Sequence, residues 1–430
     1  MNGANLGTGS RAGVREGKPP WQKNNAAQFP GAHCGLFEAA MLSPFFPSSI
    51  GLVIAPPSCL YHAKLINKRR GQTPSSLEDN LYLLNLKQED MVFGVDRVVE
   101  EALEELDQRL NPEIIFLIST CTPEIIGFDD ASMTYIKSRI NAKVLTVQTN
   151  GYACLHRQKG RSDFLASLVE VMKPAEVKPK TVNIIGLRSH DWQKTELVGV
   201  LERSGVEVNA VMPGASRLLE IEQAPAAALN IAIGKAALPL AEKMKEKFGT
   251  PYIVYDYSYL TEEIIKGYQE IGALLGADLN PALSQLVDNH QEFLAEKKRQ
   301  LAGISFAIGS VEGSNLEAAL FLAKNLGMKP EFLQTRMPID QNHPYLEELK
   351  QQGMELPVVH INKTSKLEEL LNQYYPQVFI GHGLSELLKK RGVSHCHPGA
   401  QIYGPGFVAV EQELENIAHS IKCECGKVGE

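Results

Sequence analysis

The chain has 430 residues, more than one ordinary hydrophobic core accommodates, so we expect two or three domains. Hydrophobic residues make up 44% and charged residues 22%, which is typical of a soluble globular protein. The net charge of −7 is spread along the chain and predicts no nucleic-acid-binding face, and the lack of any long apolar run predicts no membrane-spanning helix.

The N-terminal segment and the cysteine content indicate the cellular compartment. Residues 1–29 lack the apolar core of a signal peptide and are predicted to form a flexible tail. Seven cysteines, an odd number in a large chain without a secretion signal, argue against a disulfide framework. We therefore expect a cytoplasmic protein whose thiols are reduced.

Apolar, strand-like runs alternate with helical patterns over most of the chain, which predicts βα units and parallel sheets. Three blocks of this kind follow the tail: residues 30–172, residues 173–302 and residues 303–430, the last of which includes a C-terminal tail. We therefore predict an α/β fold with three doubly wound domains, whose parallel sheets surround a central cleft. A proline- and lysine-rich linker at residues 173–180 opens the second block.

The individual elements are predicted from short β-branched runs and from helical periodicity. The predicted strands lie at residues 50–55, 114–119, 143–148, 181–186, 252–255, 304–308, 356–361 and 378–380. The predicted helices include residues 95–110, 236–248, 280–301 and 408–420. The third of these helices is expected to connect two domains, with Asn280 as its N-cap.

Cys34, Cys59 and Cys121 each lie where a predicted strand or extended segment gives way to a helix. In an open parallel sheet, the loops beyond the carboxyl ends of the strands gather on one edge, where ligands bind. Thr122 is the expected N-cap of the helix after Cys121, with Pro123 at its first position. Nearby helix N-termini are expected to lower the pKa of the three thiols. The sequence therefore predicts a metal site built from thiolates.

The separation of these cysteines, 25 and 62 residues, is unlike that of a zinc ribbon, whose paired ligands are two to four residues apart. Thiolates in a cytosolic protein favour soft metals, and iron–sulfur clusters require them. Three ligands leave a four-iron cluster one short, and the fourth can come from a second subunit at a shared interface. The alternative is three buried, inert cysteines packed in the core.

The sequence around these cysteines is more specific than their spacing. It reads CGLFEAA at residues 34–40, PPSC at residues 56–59 and STCTPEIIGFDD at residues 119–130. Together these segments resemble the nitrogenase component 1 superfamily, which includes molybdenum–iron protein subunits, cofactor-assembly scaffold proteins and dark-operative protochlorophyllide and chlorophyllide reductases. The similarity continues to residues 402–407 and covers nearly everything after the N-terminal tail.

The resemblance implies three α/β domains, with Cys34, Cys59 and Cys121 as ligands of an interfacial iron–sulfur cluster, either a four-iron or a P-cluster-like one. It also implies a homologous component 1 subunit as partner and electrons from a separate ATP-dependent iron protein. One position departs from the family. Catalytic and scaffold α-type subunits have a cofactor-anchoring cysteine at about the place of Ile233, and isoleucine binds no metal. We expect either a β-type subunit or an active site without a cysteine-anchored cofactor.

Four further residues are candidates for the cleft. His395, Cys396 and His397 lie in the loop where some family members place a histidine facing the cofactor. Cys154 follows a predicted strand at the expected cleft edge and is a candidate fourth ligand or redox thiol. The alternatives are a hydrogen-bonded loop for the first three and a packed cysteine for the fourth.

Three functions compete at this stage. The leading hypothesis is a subunit of a nitrogenase-like oxidoreductase, which accepts electrons through the cluster and passes them to a substrate in the cleft. The second is a scaffold for assembly of a nitrogenase-type metallocofactor, which binds a cluster precursor without turnover. The third is a metal-free α/β protein that binds a nucleotide or sugar nucleotide in its cleft.

Overall fold

The computed structural model describes residues 34–70, 80–128, 130–149, 158–311, 314–335, 343–354, 356–360, 364–381, 383–397 and 404–425. The predicted N-terminal tail and Cys154 lie outside these residues.

Within the described residues, thirteen strands form three sheets in which every described pairing is parallel. The strands are β1 (Ser49–Ile54), β2 (Leu81–Leu84), β3 (Ile114–Ser119), β4 (Lys143–Gln148), β5 (Lys178–Ile185), β6 (Glu207–Met212), β7 (Ala227–Ala232), β8 (Tyr252–Val254), β9 (Ser305–Val311), β10 (Lys329–Thr335), β11 (Val358–His360), β12 (Val378–Gly381) and β13 (Ser394–Cys396). The predicted α/β class with parallel sheets is confirmed.

The helices cover both faces of these sheets, as parallel strands require. They are α1 (Gly35–Leu42), α2 (Pro57–Arg70), α3 (Gln88–Phe93), α4 (Asp96–Leu110), α5 (Cys121–Ile125), α6 (Thr134–Lys137), α7 (Gln158–Ser167), α8 (Glu196–Arg203), α9 (Leu218–Glu222), α10 (Leu238–Phe248), α11 (Thr261–Leu275), α12 (Asn280–Leu301), α13 (Ser314–Lys324), α14 (Pro344–Gln351), α15 (Thr364–Gln373), α16 (Ser385–Lys390) and α17 (Phe407–Cys425).

The strand order in each sheet reverses at one point. The first sheet has the order β2-β1-β3-β4, the second β6-β5-β7-β8 and the third β11-β10-β9-β12-β13. The chain therefore winds in opposite directions from β1 and β3, from β5 and β7, and from β9 and β12. Loops diverge at such a switch point and leave a crevice beyond the carboxyl ends of the two strands. Each sheet of this molecule has one such place.

The central strands of the first sheet are buried along their whole length. Every residue of β1 and β3 is buried, which matches the unbroken apolar runs that predicted these strands. One large apolar core joins the second and third sheets, and another joins the first sheet to the second. The three sheets are thus packed into one continuous body.

The connector helix is present with the predicted length, but it begins one residue early. Asn280 is the first helical residue of α12 and Leu279 is its N-cap, so the predicted capping role of Asn280 is wrong. The helix lies against α17, where His290 Nδ1 is 2.9 Å from Glu411 Oε1 and Lys297 Nζ is 2.6 Å from Glu415 Oε1. The hydrogen bond of His290 and the ion pair of Lys297 join the connector to the last helix of the chain.

Candidate functional site

Two of the three candidate cysteines flank the switch point of the first sheet. Cys59 lies in the first turn of α2, directly after β1, and Cys121 is the first residue of α5, directly after β3. β1 and β3 are neighbouring parallel strands. Cys34 is the N-cap residue of α1, a helix that packs on the same sheet and against α2. The three thiols therefore lie at helix starts, near the sheet edge where the sequence predicted that loop–helix junctions meet.

Side-chain hydrogen bonds hold the loop after β3 in place. Thr120 Oγ1 donates to the carbonyl of Ile54 at 2.7 Å, which ties this loop to the end of β1. Ser119 Oγ donates to Glu124 Oε1 at 2.7 Å. The predicted N-cap at Thr122 is wrong, because α5 begins at Cys121 and Thr120 is its N-cap. The helix starts earlier because the Thr120 side chain is engaged with the neighbouring strand.

The three thiols are near enough to influence one another electrostatically. Burial raises the pKa of Cys34, and the charges of Cys121 and Cys59 raise it further, whereas backbone N–H groups at the start of α1 lower it. Burial, followed by the charge of Cys121, also raises the pKa of Cys59. The start of α1 lowers the pKa of Cys34 as expected, but the loss of solvent outweighs it, so the pKa of Cys34 and that of Cys59 are both raised overall. Thiolates gathered here repel one another, and a bound cationic centre would relieve that repulsion.

The donor chemistry of these thiols suits a cluster. Iron–sulfur clusters are held by cysteine thiolates, each of which binds one iron. Among the described residues, no three cysteine, histidine, aspartate or glutamate side chains are arranged to hold one metal ion. Cys34, Cys59 and Cys121 are donors of the kind that an iron–sulfur cluster with three protein ligands from this chain would use.

Exposed apolar side chains lie on the helices at the same edge of the first sheet. Tyr61 on α2, Val92 and Phe93 on α3 and Ile125 on α5 follow the carboxyl ends of β1, β2 and β3, and Phe93 is 87% exposed. We call these four residues the apolar rim. Large apolar side chains exposed together indicate an interaction surface.

A second group of polar side chains lies at the switch point of the second sheet. Arg188 follows β5, Lys235 follows β7, and Asp256 and Tyr257 follow β8. Burial raises the pKa of Asp256, whereas the positive charge of Lys235 lowers it. Burial likewise raises the pKa of Tyr257, and the positive charge of Arg188 lowers it. We call these four residues the second-sheet polar cluster.

Sequence reasoning missed the second-sheet polar cluster, although a signal for it was present. Asp256 and Tyr257 come directly after the predicted strand at residues 252–255, and Arg188 comes two residues after the strand predicted at residues 181–186. The rule that singled out the cysteines, polar chemistry directly after a buried parallel strand, applies equally to these positions.

The structure puts Ile233 in the apolar core. Its side chain is buried, and its N–H donates to the carbonyl of Ile185 at 2.7 Å. Gly186 has a φ of 101°, and a Cβ there would overlap the carbonyl oxygen of Ile233. The two strand-end loops thus touch at the switch point, and the Ile233 side chain packs in the core.

His395, Cys396 and His397 lie on and after the last strand of the third sheet. His395 Nε2 is 2.9 Å from the carbonyl of Gly381, and its Nδ1 is 3.0 Å from Ser385 Oγ. Cys396 is 3% exposed, and burial, followed by the charge of Glu413, raises its pKa to about 12. His397 is exposed, with its ring 4.1 Å from that of His395. His395 is thus hydrogen-bonded through both ring nitrogens on β13, and the Cys396 thiol lies in the core.

No helix in the described part of the chain is both long and apolar enough to cross a bilayer. The strand order of its three parallel sheets makes the fold that of a doubly wound α/β protein. The chain belongs to the family described as "Nitrogenase component 1 type Oxidoreductase", whose family model matches residues 34–403. The family resemblance read from the cysteine segments is confirmed.

Curated relatives of the chain carry the name "Nitrogenase iron-molybdenum cofactor biosynthesis protein NifE". The protein from Methanococcus maripaludis is 25% identical over 337 residues, which cover 75% of this chain and 69% of the relative. Those from Clostridium pasteurianum and a Nostoc species are 24% and 26% identical, over 74% and 62% of this chain and 71% and 58% of the relatives. These names favour the scaffold alternative over the electron-accepting hypothesis.

Solved structures confirm the fold. The chain is similar to "Nitrogenase Cp1 at pH 6.5" with a TM-score of 0.78 and 14% identity, over 97% of this chain and 96% of that one. It is similar to "Nitrogenase Cp1 at pH 5" with a TM-score of 0.73 and 18% identity, over 95% and 92%.

Proposed function

We propose that this chain is a component-1-type subunit of a scaffold on which a nitrogenase-type metallocofactor is assembled. In this proposal, Cys34, Cys59 and Cys121 hold an iron–sulfur cluster, and the cofactor precursor is the cargo. The observation that carries it is the gathering of three electrostatically coupled thiols beyond β1 and β3. The names of the curated relatives, all cofactor biosynthesis proteins, support the scaffold role.

A homologous component 1 subunit is the proposed partner. Three cysteines leave a four-iron cluster without one protein ligand, and a thiolate from a facing subunit would complete it. The apolar rim beside the thiols supplies surface that such a subunit would bury. Burial against a partner would also shield the cluster from water, which lowers the local dielectric and strengthens the hold of the thiolates.

When bound, the cluster supplies one-electron redox chemistry. The chain's own residues would position it: Thr120 fixes the loop that carries Cys121 onto β1, and the start of α1 presents Cys34 with two backbone N–H donors. A separate ATP-dependent iron protein would deliver the electrons.

An electron-accepting oxidoreductase subunit is the second candidate function, and Ile233 favours it. A scaffold of the α type anchors its cargo with a cysteine at that place, and here the side chain is buried isoleucine. A reductase whose substrate is held without a thiolate has no need of that cysteine.

Anaerobic purification with and without a candidate partner subunit tests the cluster. We expect iron and acid-labile sulfide in the wild-type complex, loss of both in Cys59→Ala, and wild-type amounts in the matched control Cys396→Ser. The buried Cys396 is remote in the fold from the thiol site, so its replacement tests for general loss of structure. A colourless wild-type protein without iron or sulfide would favour the metal-free alternative.

The two candidate functions differ in what happens to the iron. For a scaffold, protein loaded with ⁵⁷Fe should pass labelled iron to a cofactor-free component 1 acceptor in one round, with no product released. For a reductase, the label should stay in place while ATP, a low-potential reductant and an iron protein sustain many rounds of product formation. Retention of the label with sustained turnover would contradict the scaffold proposal.

A further inference from the structure

We propose that Arg161, held by Glu38, sets the reduction potential of the cluster at Cys34, Cys59 and Cys121. The inference rests on the proposed function, because it requires a cluster at these thiols. Arg161 is a positioning residue in this sense: it acts on the cluster through charge and binds no iron.

The position of the ion pair follows from the helix that carries Cys34. Glu38 is the fourth residue of α1, about one turn after the N-cap residue Cys34. The Glu38 carboxylate is 1% exposed. Arg161 on α7 donates from both Nε and Nη2 to Glu38 Oε2, with the Nε bond at 3.1 Å. One buried anion and one largely buried cation therefore flank the start of the thiol site.

A backbone contact fixes the pair relative to the thiol. Gly35 follows Cys34, Gly160 precedes Arg161, and a Cβ at Gly160 would overlap the carbonyl oxygen of Gly35. The two helices touch main chain to main chain at the residues next to Cys34 and Arg161. That contact fixes α7 against the start of α1, and the ion pair with Glu38 holds the guanidinium on α1.

The charge of Arg161 would affect the cluster when the cluster is reduced. One electron from a low-potential reductant adds one negative charge to the cluster, and no bond forms or breaks. A fixed buried cation stabilises that extra charge and raises the reduction potential, whereas a fixed buried anion opposes it. Removing Arg161 should therefore lower the potential, and removing the charge of Glu38 should raise it. Removing both charges should return it towards the wild-type value.

The placement of this pair suits an electrostatic role better than a stabilising one. Burying an ion pair costs desolvation energy that its own attraction often fails to exceed, so it is weak support for the fold. The charge of Arg161 also acts on Tyr257 of the second-sheet polar cluster, where it lowers the pKa that burial raises. The guanidinium is thus within electrostatic reach of the switch point of the second sheet, and the contact between Gly35 and Gly160 puts its helix against the residue next to Cys34.

Anaerobic redox titration of the reconstituted complex, followed by electron paramagnetic resonance, tests the inference. We expect Arg161→Gln to lower the equilibrium constant for reduction at least tenfold, about 59 mV for one electron. Glu38→Gln should shift it upwards, and the double variant should lie near the wild type. Lys159→Gln is the matched control, since Lys159 forms an ion pair with Asp163 on the exposed side of α7.

The signs of the shifts separate charge from damage. Opposite shifts in Arg161→Gln and Glu38→Gln support the inference, whereas unchanged potentials, or shifts in the same direction, overturn it. If Arg161→Gln loses its cluster, the sign of the Glu38→Gln shift decides alone. A wild-type complex without iron would instead overturn the proposed function, and that outcome is visible before any potential is measured.

Discussion

Glu196 connects the second sheet to the last helix of the chain, and its removal should be strongly destabilising. The side chain is 9% exposed at the first residue of α8. Its Oε1 accepts a hydrogen bond from Tyr268 OH at 2.9 Å, and its Oε2 accepts one from Val408 N–H at 2.8 Å, in the first turn of α17. A carboxylate at a helix N-terminus also interacts favourably with the helix dipole.

Glu196→Ala removes the acceptor of the buried Tyr268 OH and of the N–H of Val408, a partly exposed residue. Each stranded donor costs about 1–3 kcal/mol, or about 2–6 kcal/mol for the two. Relief from burying the carboxylate, whose pKa burial raises, offsets part of this loss. We therefore expect a net destabilisation of about 3 kcal/mol, the middle of that range reduced by the offset.

Urea unfolding followed by circular dichroism measures the total effect, and hydrogen exchange of the Val408 amide reports the first turn of α17. Tyr268→Phe is the matched control. It removes one donor, while Glu196 keeps its hydrogen bond from Val408 N–H, and it should cost about 1 kcal/mol. In the double variant, no phenol is left without an acceptor. The loss of stability in the double variant should therefore be smaller than the sum of the two single losses by about 1–2 kcal/mol. A loss below about 1 kcal/mol in Glu196→Ala, with unchanged exchange at Val408, would refute the reasoning.

Three further predictions follow from buried groups. Burial raises the pKa of Glu196 above its ordinary value of 4.5, so the folded state holds the proton more tightly and loses stability as the pH rises from 4.5 towards the folded pKa. Urea titrations of Glu196→Gln should lack this fall, and an identical slope in both proteins would contradict it. Gly160→Ala should cost about 3 kcal/mol in thermal unfolding, because its Cβ overlaps Gly35, while Ser162→Ala on the same helix should be nearly neutral. At pH 8, iodoacetamide should label Cys59 in cluster-free protein well before Cys396, whose pKa is about 12. Equal labelling rates, measured by mass spectrometry, would show that burial does not protect Cys396.

The parallel sheets and the place of the thiols could be predicted because both depend on local patterns. β1 and β3 are short, unbroken apolar runs, and each is followed at once by a cysteine at a helix start. Winding rules for α/β sheets then bring neighbouring strand ends to one edge. The positions of these two strands and the chemistry at their ends were thus accessible from the sequence.

Several strands were not predicted because their sequences are weak strand formers. β7 is rich in alanine, and β10 begins with a lysine and a proline, so neither has the β-branched pattern of an ordinary strand. β13 has three residues and includes a histidine and a cysteine that were taken as loop. Neighbouring strands, which supply hydrogen bonds and apolar contacts, decide the conformation of these segments.

The long-range polar contacts were not predictable in principle from spacing. Glu38 and Arg161 are 123 residues apart in the chain, and Glu196 and Val408 are 212 apart. No periodicity relates such positions, because their meeting depends on how three sheets pack. The cysteine site was found because strand ends share an edge, and these pairs were missed because they cross between layers.

The connector α12 has a mechanical consequence. Its 22 residues, at a rise of 1.5 Å each, make a rod of about 33 Å. Tilting such a rod by about 5° moves its far end by about 3 Å, which is as long as the His290–Glu411 bridge itself. Because Lys297 also contacts Glu415 on α17, a tilt of this size would break both side-chain contacts. The second and third sheets, which this helix and α17 join, are therefore expected to move together as a single stiff frame.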